Sequence, residues 1–123
     1  MRNLLALTAA LVISAPACAA QAPKGGVDMA TAQKIEAKVH LPDGSKPLGH
    51  YARFYFKDQY TPAGMVSGWY VNADNPPFNT WPRAGIHLEK PNVSMADGGC
   101  YAISLTYDPA KDAITDIHCN GYA

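Results

Sequence analysis

The 123-residue chain carries ten basic and ten acidic residues, four histidines, ten prolines and ten glycines. Balanced charge excludes a surface built for nucleic acid, which needs a basic excess, and the length leaves room for one small domain and not two. The density of proline and glycine predicts short elements joined by many turns.

The first stretch, "MRNLLALTAALVISAPACAA", has the order of a secretory signal peptide over residues 1–20: the positive Arg2, an uncharged apolar run from Leu4 to Ile13, then small residues. The run is too short to cross a hydrocarbon core as a helix, which takes about 20 apolar residues. Cleavage falls between Ala19 and Ala20 or after Ala20. Cys18 then leaves with the signal. A lipid anchor there is disfavoured, because Ala15 and Pro16 stand where a lipoprotein signal has a larger aliphatic and a small residue. The compact signal has the bacterial form. These features predict an exported protein, periplasmic or secreted, with no membrane span.

Residues 21–27, "QAPKGGV", read as a flexible leader. Asp28 to Val39 reads as a helix, with Asp28 as N-cap and Met29, Ala32, Ile35 and Val39 on one stripe. "LPDGSKPLG" ends it. "HYARFYFK", His50 to Lys57, is a strand by composition, with Ala52, Phe54 and Phe56 on one face and Tyr51, Arg53 and Tyr55 on the other. "MVSGWYV", Met65 to Val71, is the next strand. Residues 72–85, "NADNPPFNTWPRAG", hold three prolines and no periodicity, the mark of a long loop of the kind that often carries function. "GIHLEK" is a short third strand, and "PNVSMADGG" leads to a final pair. Asn92 heads a glycosylation sequon by letters only.

That pair is "CYAISLTYDPAKDAITDIHC". Alternation on both sides of "DPAKD" predicts a hairpin. Cys100 and Cys119 are the cysteines left once the signal is gone, and an even pair in an oxidising compartment reads as a disulfide. No C-x-x-C or H-x-x-x-H spacing supports a metal site instead. The register stays open. A loop of Asp108 to Lys111 sets the cysteines opposite each other, a loop of Pro109 to Asp112 sets Cys119 opposite Ala102, and a bulge at Gly98-Gly99 would decide.

The strand "YARFY", the aromatic strand after it and the ending "GGC…YDP…CNG" resemble small exported bacterial proteins of unknown function. The likeness covers residues 48–121 and is most specific in the cysteine hairpin. It implies a secreted single domain and carries no activity, cofactor or catalytic residue.

Together these readings predict an α+β domain over residues 28–123. One N-terminal helix packs on an antiparallel sheet of about five strands in meander order, closed by the stapled hairpin. No GxSxG, HExxH, P-loop or GxGxxG appears. Asp116 and His118 share a strand face, where a carboxylate would orient a base, and His87 across the sheet would complete a metal set. The plainer reading is a solvated polar edge, with no catalytic residue, metal or cofactor. The stronger signal is aromatic. Phe54 and Phe56 are expected in the core, which leaves Arg53, Tyr55, Phe78 and Trp81 as the exposed, binding-competent set. The expected function is a non-catalytic module that binds an envelope protein or a small ligand. The alternatives are an exported inhibitor of a hydrolase acting through the 72–85 loop, and a small hydrolase.

Overall fold

The computed structural model describes residues 9–12, 23–94 and 98–121. The signal-peptide reading rests mainly on residues outside that set, as do Cys18 and residues 21 and 22. The elements are one helix, α1 (Met29–Lys38), and five strands: β1 (Tyr51–Phe56), β2 (Val66–Asn72), β3 (Gly85–His87), β4 (Gly99–Asp108) and β5 (Ala113–Asn120). They build an α+β fold with a single five-stranded sheet in the order β3-β1-β2-β4-β5.

Helix α1 begins where the sequence says it should. The Asp28 carboxylate accepts from the Thr31 N–H at 2.8 Å, satisfying one of the orphan donors of the first turn. The Thr31 side chain, first, and that backbone bond hold the Asp28 carboxyl below its ordinary value. Ala32 and Ile35 are the buried positions, and Met29 at the end of the stripe is 43% exposed.

The sheet departs from a plain antiparallel meander at β3. Pairing of β1 with β2, β2 with β4 and β4 with β5 is antiparallel, but β3 runs parallel to β1 on its free side, with Ala52 opposite Gly85 and Phe54 opposite His87. The cause is the long loop. Strand β2 ends beside the start of β1, where Asn72 faces Tyr51. The loop then carries the chain past the end of β1, so the next strand lands on the far side of it. Strands β3 and β4 point the same way, and codirectional strands need a return crossover. The segment between them brings Val93 onto the sheet.

That topology covers both faces. One face carries Tyr51, Tyr55, Val66, Tyr70, Ile103, Leu105 and Tyr107 under α1, with Ala32 and Ile35 above. The other carries Ala52, Phe54, Phe56 and Val71 under Trp81 and Val93, with Trp69 beside them. The helix therefore lies on the Tyr51/Arg53/Tyr55 face. Phe54 and Phe56 are in the core as expected, but under Trp81 and Val93 rather than under the helix, and the expected exposure of Arg53, Tyr55 and Trp81 is overturned. Tyr55 has no accessible surface at all.

The reason is polar satisfaction. The Tyr55 and Tyr70 hydroxyls bond each other at 2.7 Å, with the rings edge-on at 5.9 Å. Tyr51 donates to the Cys100 carbonyl at 2.8 Å and accepts from the Lys46 N–H at 3.0 Å. Arg53 donates through Nε to Glu36 of α1 and through its terminal nitrogen to the carbonyls of Leu48 (3.2 Å) and Tyr51 (3.0 Å). A buried face tolerates polar tips when each one finds a partner. Gly68 gives the helix face its depth, since a Cβ there would meet Leu105 Cγ at 2.6 Å.

The leader is partly built in. The Gly25 N–H donates to the Leu88 carbonyl at 3.0 Å, and the Gly25 carbonyl accepts from the Lys57 N–H at 2.8 Å. Val27 is buried in the helix-side core. A Cβ on Gly25 would stand 2.7 Å from the Tyr55 carbonyl oxygen, so only glycine fits.

The cysteines form the expected disulfide, with Cα atoms 4.6 Å apart. Its register combines both readings of the turn. The loop is Pro109–Asp112, with Asp108 opposite Ala113. Asp112 takes the left-handed conformation at φ 48°. An irregularity at Thr115 shifts the ladder, so Cys119 faces Ile103, and a second between Gly99 and Ile103 brings Cys100 alongside Cys119. Gly99 adopts φ 52° at that second bulge.

Because Tyr55 and Phe54 are each buried, on opposite faces of the sheet, Tyr55→Ala and Phe54→Ala should destabilise alike, each by about 3–5 kcal/mol. Chemical denaturation of the two variants checks this, and a Tyr55→Ala protein as stable as wild type would contradict the burial. The tyrosines also set an alkaline limit. Burial, first, and the neighbouring hydroxyl push Tyr55 up. Burial pushes Tyr70 up. Tyr107 is pushed up to about 12, chiefly by its hydrogen bond to the Asp112 carboxylate and then by burial. A phenol with a raised folded-state pKa contributes stability that is complete below its unfolded value of about 10 and is lost as pH climbs through the folded value. The denaturation midpoint should hold up to about pH 10, the unfolded phenol value, and fall above it, and Tyr70→Phe should flatten the fall. An unchanged alkaline slope in that variant would disprove the assignment.

Candidate functional site

The 73–84 loop is the largest irregular feature between strands, and the fold pins its base while leaving its tip in solvent. At the base, buried Asn72 does two things. Its side-chain oxygen accepts from the Asp74 N–H at 2.7 Å, the local turn that "NAD" favours. Its carbonyl accepts from Trp81 Nε1 at 2.9 Å. The Asp74 carboxylate bonds His50 Nδ1 at 2.8 Å, the Asp74 carbonyl accepts from the Tyr101 hydroxyl at 3.3 Å, and the Ala73 N–H donates to the His50 carbonyl at 2.8 Å. Trp81 is 9% exposed and fills the phenylalanine side of the sheet.

The tip from Asn75 to Thr80 is exposed at every position. Asn75 takes φ 51°, the left-handed conformation that asparagine tolerates, and two prolines follow. Phe78, 51% exposed, meets Trp81 edge-on at 5.4 Å. A cavity of about 370 Å³ lies among Ala73, Pro76, Pro77, Phe78, Trp81 and Arg83.

Of the four residues expected to bind, the structure brings together Phe78 and Trp81 and separates them from Arg53 and Tyr55. Phe78 is open, Trp81 is the floor beneath it, and Arg53 and Tyr55 lie under α1 on the opposite face of the sheet. The bracing residues His50, Asn72, Asp74 and Tyr101 carried no such assignment from sequence. Only "NAD", a turn signal straight after a strand, hinted at them.

The Asp116–His118 pair forms, with the carboxylate 2.9 Å from His118 Nδ1. Both side chains are more than half exposed, at 59% and 56%. Ser104 faces His118 and Thr106 faces Asp116 across the ladder. The cavity nearest this pair is lined by Pro42, Gly99, Cys100, Ile117, His118 and Cys119 among others, and includes neither Asp116 nor a hydroxyl side chain. His87 stands at the opposite end of the strand order, stacked on Phe54 at 4.7 Å. No group of three or more His, Cys, Asp or Glu among the described residues is placed to hold a metal ion.

Comparison of the chain with protein-family models, with curated proteins and with solved structures finds no match. No helix among the described residues is long and apolar enough to cross a membrane.

Proposed function

We propose that this chain is an exported, non-catalytic interaction module that recognises a partner protein or small ligand through the 73–84 loop. The observation that carries this reading is the contrast within the loop. A braced base holds Trp81, and an open tip offers Phe78 directly after Pro76 and Pro77. A pre-ordered loop loses little conformational freedom on binding, and an aromatic over a shallow pocket is a common recognition anchor. Arg53 and Tyr55 belong to the frame rather than to this surface, because the helix covers them. Export is supported by the disulfide, a bond that persists in oxidising compartments, together with the ordered N-terminal pattern.

A second reading has its own support. Six consecutive exposed residues, 75–80, held between fixed ends make a projecting segment of the kind an inhibitor inserts into a hydrolase cleft. Loss of an envelope hydrolase's activity on stoichiometric addition of the protein would select this reading over a plain binding module.

Phe78→Ala should leave the melting temperature nearly unchanged, as expected within about 0.5 kcal/mol at an open position, and weaken partner capture from envelope extract at least tenfold. Undiminished capture would remove the loop from the interaction. Export is checked by mass spectrometry of protein recovered from the producing cell. A chain starting at Ala20 or Gln21 without lipid is the expected result, and a diacylated Cys18 would overturn it.

A further inference from the structure

The sheet has two edges, and they are treated differently. Strand β3 is three residues long and is followed directly by Leu88, which pairs with Gly25. Strand β5 is eight residues long, and no described strand pairs with its outer side. From Asp116 to His118 that edge presents outward backbone groups with no described strand against them, an arrangement that invites another strand. Two cavities, of about 660 and 410 Å³, lie along β5 and share Ile117. The first is walled by Pro42 and Asp43, the second by Lys38 and His40.

We propose that β5 pairs with β5 of a second copy of this chain, antiparallel, about a two-fold axis through Ile117. The charge pattern selects that partner and that register. Asp116 and His118 flank Ile117 on one face of the strand. A two-fold axis at Ile117 sets Asp116 opposite His118 of the second copy, and His118 opposite its Asp116. Each carboxylate then lies between two imidazoles, its own at 2.9 Å and one across the interface. Parallel pairing in register would instead set Asp116 beside Asp116, and like charges directly opposite are unfavourable. A slip by one residue places Ile117 against a charged position and turns alternate side chains to the wrong face. On the helix side, Ile117 meets its own copy over the seam between the two cavities, where both offer apolar surface. The irregularity at Thr115 ends the regular stretch, and Thr115 faces Cys119 of the second copy, so the shared ladder is short, Asp116–His118, and centred on Ile117. The same residues that discourage casual pairing at an edge therefore permit one partner, another β5 in one orientation.

The test uses the oxidised chain and two charge reversals, Asp116→Lys and His118→Glu. Both positions are exposed, and thermal melts confirm folding. Sedimentation of the wild-type chain should show a concentration-dependent dimer. Each variant alone should be monomeric at concentrations where wild type is dimeric, a loss of at least tenfold in association. Mixed in equal amounts, the two variants should dimerise, because lysine at 116 of one then faces glutamate at 118 of the other. Hydrogen exchange on wild type needs no variant: the amides within Asp116–His118 that point away from β4 should gain protection as concentration rises. A wild-type chain that stays monomeric into the millimolar range overturns the proposal. So do single variants that dimerise as wild type does, or a mixture that stays monomeric.

Discussion

Arg53 decides which way the sheet faces. Its position in "YARFYF" puts a guanidinium on the same side as Tyr51 and Tyr55, and a charge that loses its water must be paired and hydrogen-bonded. Glu36 of α1 supplies the carboxylate, and both side chains are largely buried, at 12% and 15% exposed. The carbonyls of Leu48 and Tyr51 take the remaining donors. With that pair closed, the helix lies over the tyrosine side of β1 and β2. Phe54 and Phe56 are sent to the other side, where they need a cover of their own. The connections after β2 and β3 provide it with Trp81 and Val93. The position of the candidate recognition loop is thus a consequence of an ion pair on the opposite face of the sheet.

This coupling explains what the sequence made legible and what it hid. The helix and its cap, all five strands to within a few residues, a turn within Asp108–Asp112 and the Cys100–Cys119 bond follow from local signals: a capping aspartate, period-two alternation, turn residues, an even cysteine count. Facing does not follow from such signals. Ranked by hydropathy, phenylalanine should go inward and arginine with tyrosine outward. That ranking treats every polar tip as unsatisfied. Here Tyr55 and Tyr70 satisfy each other, and Tyr51 reaches the Cys100 carbonyl from far along the chain. Partners like these appear only once the fold has brought them together. The parallel placement of β3 was hidden for a related reason. A meander is the default when loops are short, and a loop long enough to pass the end of a neighbouring strand removes the default.

The cover on the phenylalanine side is less complete than the core under the helix. Trp69 Nε1 is buried there without a partner among the described residues, a polar group desolvated by its surroundings. Further along the same face, Ser67, Ser104 and Thr106 are half-buried and Asp116 and His118 are exposed. The face changes from apolar to polar along the strand order, as the loops that cover it run out. Candidate Phe78 and Trp81 were legible because bulky aromatics among prolines are conspicuous in a loop. The bracing set was not, since His50, Asp74 and Tyr101 meet only through pairing of β1 with β2 and β2 with β4.

The hairpin links the loop to the free edge. The bulge that brings Cys100 to Cys119 also carries Tyr101, whose hydroxyl reaches the Asp74 carbonyl. The Cys119 end of β5 therefore lies at the same end of the sheet as the loop, where β2 finishes and β4 begins. A two-fold axis through Ile117 reverses the second copy and carries its loop to the opposite end of a shared ten-stranded sheet. The two recognition tips would then face away from each other, too far apart to grip one small ligand between them. They suit two copies of a repeated or immobilised partner, where the second contact becomes intramolecular and raises overall affinity without any new contact. An inhibitor of an isolated hydrolase gains nothing from that arrangement, whereas a module that anchors to an extended envelope surface gains most. The proposed edge pairing would therefore favour the binding reading over the inhibitory one for this physical reason.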